Sequence, residues 1–249
     1  MTRLFGVNAV QDVLEQAPEA IRGILHQGRL DQESLRLLDR ARKAGVAIRE
    51  AQGDELRVRS GGRGGASIAA DLRIANAPDP KSFDPDTTPI LLALDQVTDP
   101  HNLGAILRSA AAFGVGAVIV PRDNSAPLND AAIRASAGAA AHVGVVRVTN
   151  LARTLTDLHD QGYWPCAVSH DATQDAWQAD LGSLPLVLVL GAEGDGIRPL
   201  VRRACPLAIR LPMTGLIRSL NVSVAAGIAL AEVVRQRQQT QGLRDSEGS

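Results

Sequence analysis

After residue 89, the chain contains short runs of apolar residues in which hydrophobic and polar side chains do not alternate. A strand of this kind has both faces buried, which is typical of a parallel sheet covered by helices on its two sides. Glycine-marked turns and helical patterns separate the runs, as in a chain of alternating strands and helices. We therefore predict an α/β fold with a mainly parallel sheet and helices on both faces. The runs cover residues 90–94, 117–120, 143–148, 166–168 and 186–190.

A proline-rich segment divides the chain near residue 80. Residues 75–89 contain four prolines and almost no periodic apolar content, as expected of a linker between domains. We predict a first domain over residues 1–76, a linker over 77–89 and a second domain over 90–237. The polar end of the chain, residues 238–249, is predicted to be disordered.

The first of these domains has the pattern of a small α/β unit. Helical apolar spacing covers residues 8–16 and 32–44. Short strands are predicted over residues 21–26, 47–50 and 67–73.

A segment rich in arginine and glycine interrupts this unit at residues 57–66. It contains Arg57, Arg59 and Arg63, and its glycines disfavour a regular helix or strand. One interpretation is a mobile surface loop. The other is an arm that binds RNA phosphates through its arginines and becomes ordered on binding.

The loop after the first apolar run leads into a helix, with Asn102 near its start and Arg108 further along. Ligands of parallel sheets bind in the loops at the carboxyl ends of the strands, so both residues are candidates for a site. We expect their side chains to lie near one another. The alternative is an N-cap role for Asp99 or Asn102 and a solvated Arg108.

The loop after the last apolar run has the sequence Gly-Ala-Glu-Gly-Asp-Gly over residues 191–196. Its glycines permit close approach of a ligand to the backbone, and Glu193 places a carboxylate at the mouth of the sheet. The spacing differs from the G-x-G-x-x-G fingerprint of dinucleotide-binding proteins, and no P-loop lysine follows, so neither class of site is predicted. Hydrogen bonds that stabilise the loop are an alternative role for Glu193.

A third loop follows a short strand that breaks at Pro212, and it enters a helix rich in alanine, glycine and serine. Ser219 and Asn221 lie at the opening turn of that helix, where exposed backbone N–H groups and polar side chains can contact a ligand. The apolar residues that follow recur at helical spacing. We therefore assign most of this helix to the core or to a subunit interface.

Composition narrows the class of protein further. The net charge of −1 argues against a broadly basic nucleic-acid-binding protein but allows a local arginine patch. The two cysteines, Cys166 and Cys205, are far apart, which predicts buried thiols and neither a disulfide framework nor a zinc site. No metal is predicted. Without a long apolar segment or a secretory leader, the chain is predicted to be cytoplasmic and to have no membrane partner.

Taken together, the three loops resemble the motifs of the SpoU (SPOUT) family of RNA 2′-O-ribose methyltransferases. The matching patterns are N-x-G-x-x-x-R, G-A-E-G-x-G and L-P-M-x-G-x-x-x-S-L-N-V-S-V-A, and the similarity covers residues 90–237. The resemblance implies S-adenosylmethionine as the methyl donor and a trefoil knot in the C-terminal part of the catalytic domain. It also implies a homodimer whose active site is completed across the subunit contact.

Residues 5–10 at the start of the chain resemble family members that carry an added N-terminal domain of the ribosomal-protein L30e type. Notable among those members are enzymes that methylate a guanosine ribose in 23S ribosomal RNA. The resemblance therefore implies that substrate, with the N-terminal domain helping to choose the RNA.

The resemblance also assigns roles to individual residues in the three loops. Catalytic or substrate-positioning roles are implied for Asn102, Arg108, Glu193, Ser219 and Asn221. Main-chain and apolar contacts to the cofactor are implied for Gly191, Leu211, Met213 and Leu220.

Two roles are open for Arg108. The family proposal makes it the general base, although a guanidinium is a very weak acid and normally stays protonated. The alternative is that Arg108 binds a substrate phosphate and stabilises the developing alkoxide, with the base unassigned.

Two other functions are also open. Transfer RNA is an alternative substrate because the catalytic motifs are shared, whereas the N-terminal domain favours ribosomal RNA or an assembling large-subunit particle. A noncatalytic RNA-binding assembly factor with the same fold is disfavoured by intact residues in all three loops, namely Arg108, Glu193, Ser219 and Asn221.

Overall fold

The computed structural model describes residues 2–56, 66–216 and 219–247 of the 249-residue chain. It contains two sheets, one on each side of the proline-rich segment. We refer to them as the N-terminal and C-terminal units.

The N-terminal unit is built from β1 (Thr2–Phe5), α1 (Val7–Gln16), β2 (Ile21–His26), α2 (Gln32–Lys43), β3 (Ile48–Glu50) and β4 (Ile68–Leu72). Its four-stranded sheet has the order β1-β4-β2-β3, in which β2 and β3 run parallel and the other pairs antiparallel. The helices and strands predicted here are confirmed to within one residue at each end. β1 was not predicted, because a four-residue strand with one buried side chain, Leu4, gives too short a pattern.

The C-terminal unit is built from β5 (Ile90–Asp95), α3 (Pro100–Ala112), β6 (Ala117–Pro121), α4 (Asp130–Ser136), β7 (Gly144–Val148), α5 (Leu151–Asp160), β8 (Trp164–Val168), β9 (Gln174–Asp175), β10 (Leu186–Gly191), α6 (Pro199–Arg203), β11 (Leu207–Arg210) and α7 (Val222–Glu247). Its seven-stranded sheet has the order β7-β6-β5-β10-β8-β11-β9, and neighbouring strands pair in parallel. The predicted mainly parallel sheet is confirmed.

The apolar runs form strands because both of their faces are covered. In β5 all six residues are buried. Leu92 and Leu94 pack into a core shared with α3, α4 and α7, whereas Leu91 packs into a second core shared with α5 and α6. Helices therefore cover both faces of the sheet, as predicted.

The strand order shows that the chain returns to the middle of the sheet. β10 lies between β5 and β8, although both precede it in the sequence. The trefoil knot that the family resemblance implies stays a prediction.

The proline-rich segment packs against the C-terminal unit. Phe83 contacts the core beside α5, and the backbone oxygen of Thr88 accepts a hydrogen bond of 2.8 Å from the Tyr163 hydroxyl. The two units also contact each other directly. Ile133 of α4 lies in the N-terminal core, and Gly138 packs against Ala17, the residue that follows α1. The exact domain boundaries stay a prediction.

The end of the chain differs from the prediction. α7 continues to Glu247, so the segment predicted to be a disordered tail from residue 238 is helical over most of its length. Glutamine and arginine, which favour helices, are six of the seven residues over 235–241, and no glycine or proline occurs between Gly227 and Gly242. The polar composition was wrongly interpreted as disorder, because a solvated helix can have the same composition.

Both cysteines are buried and free, as predicted. Burial raises the pKa of Cys166 and of Cys205 to about 12. Their thiols therefore stay protonated and unreactive at neutral pH.

Candidate active site

The three motif loops follow strands of the same parallel sheet. They begin after β5, β10 and β11, whose carboxyl ends lie at one edge. β5 and β10 are direct neighbours, with Gly191 opposite Asp95. This edge is where open α/β sheets bind their ligands.

A cavity of about 460 Å³ opens at this edge. Glu193 and Ser219, from the predicted catalytic set, line it. All four residues predicted to contact a cofactor also belong to its wall, namely Gly191, Leu211, Met213 and Leu220. The structure thus brings the predicted cofactor residues together around one space, and their role as contacts stays a prediction.

One wall of the cavity was not predicted. Val168, Ser169 and His170 line it from the end of β8, which lies between β10 and β11 in the sheet. The apolar run 166–168 predicted this strand, so the rule that ligands gather at carboxyl ends would have indicated the residues after it.

The backbone conformation of the loop after β10 requires glycine at three positions, namely Gly191, Gly194 and Gly196. A Cβ atom at Gly191 would lie 2.1 Å from the carbonyl carbon and oxygen of Gly196, so the loop backbone returns directly against the strand end. Gly194 and Gly196 have φ angles of +89° and +67°, which residues with side chains rarely adopt. The Gly196 N–H donates to the Ala192 oxygen at 3.0 Å and closes the turn. These constraints place Glu193 on the cavity wall.

One side chain from each motif loop joins a hydrogen-bonded cluster, which consists of Asn102, Glu193 and Asn221. Nδ2 of Asn221 donates to Glu193 Oε1 at 2.6 Å and to Asn102 Oδ1 at 2.9 Å. The same Glu193 oxygen accepts from Asn102 Nδ2 at 3.3 Å and from the Val222 N–H, at the start of α7, at 3.2 Å. The positive end of the α7 dipole favours a carboxylate here. Three of the five residues predicted to be catalytic are therefore in direct contact.

The caps of α3 and α7 explain why both asparagines can join this polar cluster. Asp99 accepts from the His101 N–H at 2.9 Å and caps α3, which leaves the Asn102 side chain free for other contacts. Asn221 Oδ1 accepts from the Ser223 N–H at 2.9 Å, so Asn221 caps α7 while its amide nitrogen binds the carboxylate. The alternative of a simple N-cap therefore applies to Asp99 and not to Asn102.

The sequence profile of the SpoU rRNA Methylase family matches residues 89–231, which contain the three loops and every residue of the cavity wall. The chain belongs to the SpoU rRNA methylase family. A second profile, described as RNA 2′-O ribose methyltransferase substrate binding, matches residues 3–64 of this SpoU methylase.

Curated relatives match this SpoU methylase over almost its whole length. The 23S rRNA (guanosine-2′-O-)-methyltransferase RlmB of Vibrio parahaemolyticus is 44% identical over 239 residues, which are 94% of this chain and 96% of that protein. RlmB of Escherichia coli K12 is 43% identical over 240 residues, with 94% and 98% covered. The crystal structure of the SpoU methyltransferase AviRb from Streptomyces viridochromogenes, in complex with AdoMet, shares the fold at 23% identity, with a TM-score of 0.68 over 95% of this chain and 90% of that one.

Arg108 of this SpoU methylase lies outside the polar cluster, so the expectation that it lies near Asn102 is wrong. Six residues of α-helix advance the chain by about 9 Å and turn it to a different face. Arg108 is exposed and makes no hydrogen bond or ion pair with another residue of the described ranges. Its neighbour Ser109 faces α7, where a Cβ atom at Gly227 would lie 3.5 Å from the Ser109 hydroxyl. α3 therefore contacts α7 at Ser109, whereas Arg108 makes no bond to the polar cluster of its own chain.

The remaining predicted site residues make fewer contacts or lie outside the described ranges. Ser219 lines the cavity, is exposed and has no hydrogen-bond partner among the described residues. Arg57, Arg59 and Arg63 lie outside the described residues, so both interpretations of the arginine-rich segment stay open.

Within residues 2–56, 66–216 and 219–247, no group of three or more His, Cys, Asp or Glu side chains is arranged to hold a metal ion. Across the same part of the SpoU chain, no helix is both long and apolar enough to cross a bilayer.

Proposed function

We propose that this SpoU methylase transfers the methyl group of S-adenosylmethionine to the 2′-hydroxyl of a guanosine in 23S ribosomal RNA. One observation carries the proposal: the three motif loops meet at one cavity. Glu193 belongs both to the wall of that cavity and to the polar cluster. The high identity to RlmB enzymes over nearly the whole chain supports the ribosomal substrate.

The cavity suits a nucleoside joined to a methionyl chain. The backbone at Gly191 and the apolar side chains of Leu211, Met213 and Leu220 can enclose an adenine and an alkyl chain. Glu193 adds a carboxylate to the same wall, and its negative charge favours a sulfonium cation. When bound, S-adenosylmethionine supplies an electrophilic methyl group at its sulfonium centre.

The ribose hydroxyl must approach the methyl group in line and lose its proton. We assign its orientation to the polar cluster, because Oε1 of Glu193 is held by three donors while Oε2 accepts no hydrogen bond from a described residue. Arg108 binds a phosphate of the RNA and stabilises the alkoxide that develops. Because a guanidinium keeps its proton, a group other than Arg108 accepts the proton of the hydroxyl.

We infer that the active protein is a homodimer. The part of α7 next to the cavity exposes apolar side chains one turn apart on one face, Val224 (48% exposed) and Ile228 (36% exposed). Leu220 and Met213 add exposed apolar surface in the preceding loop. Because Arg108 is exposed and makes no bond to the cluster of its own chain, we infer that a second copy packed on this face completes the site across the subunit contact.

Ile228→Glu should weaken this association by roughly a hundredfold or more, because it buries a charge in the centre of an apolar interface. Sedimentation equilibrium measures the change as a shift from the mass of two chains to that of one. Leu200→Glu is the matched control, since Leu200 is 68% exposed but lies on α6. It should leave the mass unchanged, and a wild-type chain that sediments as a monomer would contradict the dimer.

We assign the N-terminal unit, residues 1–76, to selection of the RNA. The match of residues 3–64 to a substrate-binding profile supports this assignment. Arg57, Arg59 and Arg63 are its proposed phosphate contacts. A ribosomal RNA substrate implies that the protein works in the cytoplasm.

Transfer of labelled methyl from S-adenosylmethionine to unmodified 23S ribosomal RNA tests the function. We expect label at a single guanosine whose 3′ phosphodiester resists alkali, because a methylated 2′-oxygen cannot attack it. The same RNA, methylated beforehand at that position, is the matched control and should accept no label. Transfer RNA is assayed in parallel. Label only in transfer RNA would show that the substrate is transfer RNA and not 23S ribosomal RNA. No label in either RNA or in assembling large-subunit particles would overturn the methyltransferase function.

A further inference from the structure

Asp95 is the last residue of β5, and its side chain is fully buried, with 0% of its surface exposed. Its backbone lies in parallel register with Gly191, where β10 ends and the glycine-rich loop begins. A buried carboxylate is costly unless hydrogen-bond donors or cations pair with it. The groups that pair with Asp95 therefore indicate what this residue holds in place.

Arg198 supplies those groups from the other end of the glycine-rich loop. Its backbone N–H donates to Asp95 Oδ2 at 2.8 Å, its Nε donates to Oδ1 at 2.8 Å, and a terminal nitrogen lies 2.6 Å from the same Oδ1. One carboxylate thus binds both the main chain and the guanidinium of Arg198. Residues 192–197 form a loop whose two ends are both held by Asp95.

This loop forms a large part of the cavity wall. Glu193 and Gly194 are exposed, so burial of apolar surface does little to fix their position. Within the described residues, the ion pair between Asp95 and Arg198 is the charged connection between the loop and the sheet. The loop residues that line the cavity are Ala192, Glu193, Gly194 and Gly196.

We propose that Asp95 and Arg198 are a positioning pair, which fixes the conformation of the glycine-rich loop and thereby sets the affinity for the methyl donor. Neither residue lines the cavity, so the pair acts through the loop and not by contact with the cofactor. This inference rests on the proposed function, because it takes the cavity to be the site of S-adenosylmethionine.

Asp95→Asn and Arg198→Gln, each made in the full chain, test the pair. Both substitutions remove the ion pair but keep a side chain that can form a neutral hydrogen bond. We expect S-adenosylhomocysteine, titrated calorimetrically without RNA, to bind about tenfold more weakly to each variant, as for the loss of one charge-assisted hydrogen bond. The KM for S-adenosylmethionine should rise by a similar factor, with a smaller change in kcat at saturating cofactor. Arg198→Lys keeps the charge and should restore part of the affinity.

Asp71→Asn is the matched control, because Arg3 binds Asp71 through Nε at 2.6 Å in a similarly buried ion pair of the N-terminal sheet. It should leave the affinity for S-adenosylhomocysteine unchanged, even where it lowers the melting temperature. Wild-type affinity in Arg198→Gln would overturn the positioning role, and so would an equal loss of affinity in Asp71→Asn. Arg198 is partly exposed, so its variant decides the question even where Asp95→Asn does not fold.

The test separates this inference from the proposed function. A wild-type chain that methylates RNA, with variants of unchanged cofactor affinity, would overturn the positioning pair alone. A wild-type chain that neither binds S-adenosylhomocysteine nor methylates RNA would overturn the proposed function and the role of the pair with it.

Discussion

Arg108→Ala is expected to lower kcat for methyl transfer by about a thousandfold or more, while cofactor affinity and dimer mass stay at their wild-type values. The guanidinium is exposed and has no partner among the described residues. Its removal therefore leaves no buried group without a hydrogen bond and lowers the stability of the fold only a little. Single-turnover transfer to 23S ribosomal RNA measures the rate. Arg134→Ala, at an arginine in the last turn of α4, is the matched control and should keep wild-type activity. Normal turnover by Arg108→Ala would refute the role assigned to this residue.

Arg108→Lys separates the two roles considered for this arginine. A lysine keeps the positive charge but loses the planar fork that binds a phosphate through two hydrogen bonds, so the electrostatic role predicts an intermediate rate with the wild-type pH dependence. A lysine, with a pKa of about 10.4, would be more readily deprotonated than arginine. The general-base role therefore predicts a lysine variant whose rate rises more steeply with pH than that of the wild type. We expect the electrostatic behaviour.

The sheet and the cavity were predictable because their signals are local in the sequence. The run over residues 186–190 contains no polar side chain, and a buried parallel strand is the element that such a short run favours next to glycine. The residues that the family resemblance assigns to the cofactor lie at or after the ends of strands of this sheet. The parallel arrangement alone then brings their loops to one edge, without any knowledge of the strand order.

The pairings between loops could not be predicted in this way. Asp95 and Arg198 are separated by 103 positions, and no local pattern connects them. The residues after β8 are indicated by the carboxyl-end rule, but their place between β10 and β11 depends on a strand order that hydrophobic spacing does not reveal. The position of Arg108, in contrast, was predictable, since six helical residues from Asn102 give about 9 Å of rise and a different face.

Glu193→Ala is expected to lower kcat/KM by about a hundredfold or more. Its Oε1 accepts hydrogen bonds from Asn102, Asn221 and the Val222 N–H, so the substitution leaves three donors without this acceptor. The reacting groups then lose their alignment, and a misplacement of about 1 Å costs on the order of a hundredfold in rate. Glu193→Gln keeps an oxygen for these donors and should lose less activity. Equal losses of activity in Glu193→Ala and Glu193→Gln would show that the charge of Glu193 is what matters. Full activity of Glu193→Ala would show that the polar cluster has no role in the reaction.

Mixed dimers of these two variants test whether the active site is shared between subunits. Chains with Arg108→Ala and Glu193→Ala, co-expressed with different tags, can be isolated as dimers that contain one chain of each. If Arg108 acts at the cluster of the other chain, one of the two sites contains both an intact arginine and an intact glutamate. Such a dimer should then have about half of the wild-type activity, although each variant alone is nearly inactive.

If Arg108 acted within its own chain, both sites of the mixed dimer would be defective and no activity would return. Two observations favour the shared site. Arg108 is exposed and has no bond to the cluster of its own chain, and Val224 and Ile228 of α7 expose an apolar face next to the cavity. The family resemblance assigned Asn102, Arg108, Glu193 and Asn221 to one site, but only Asn102, Glu193 and Asn221 meet within a single chain. In the proposed homodimer, Arg108 acquires its partner from the second chain, and we therefore expect activity to return in the mixed dimer.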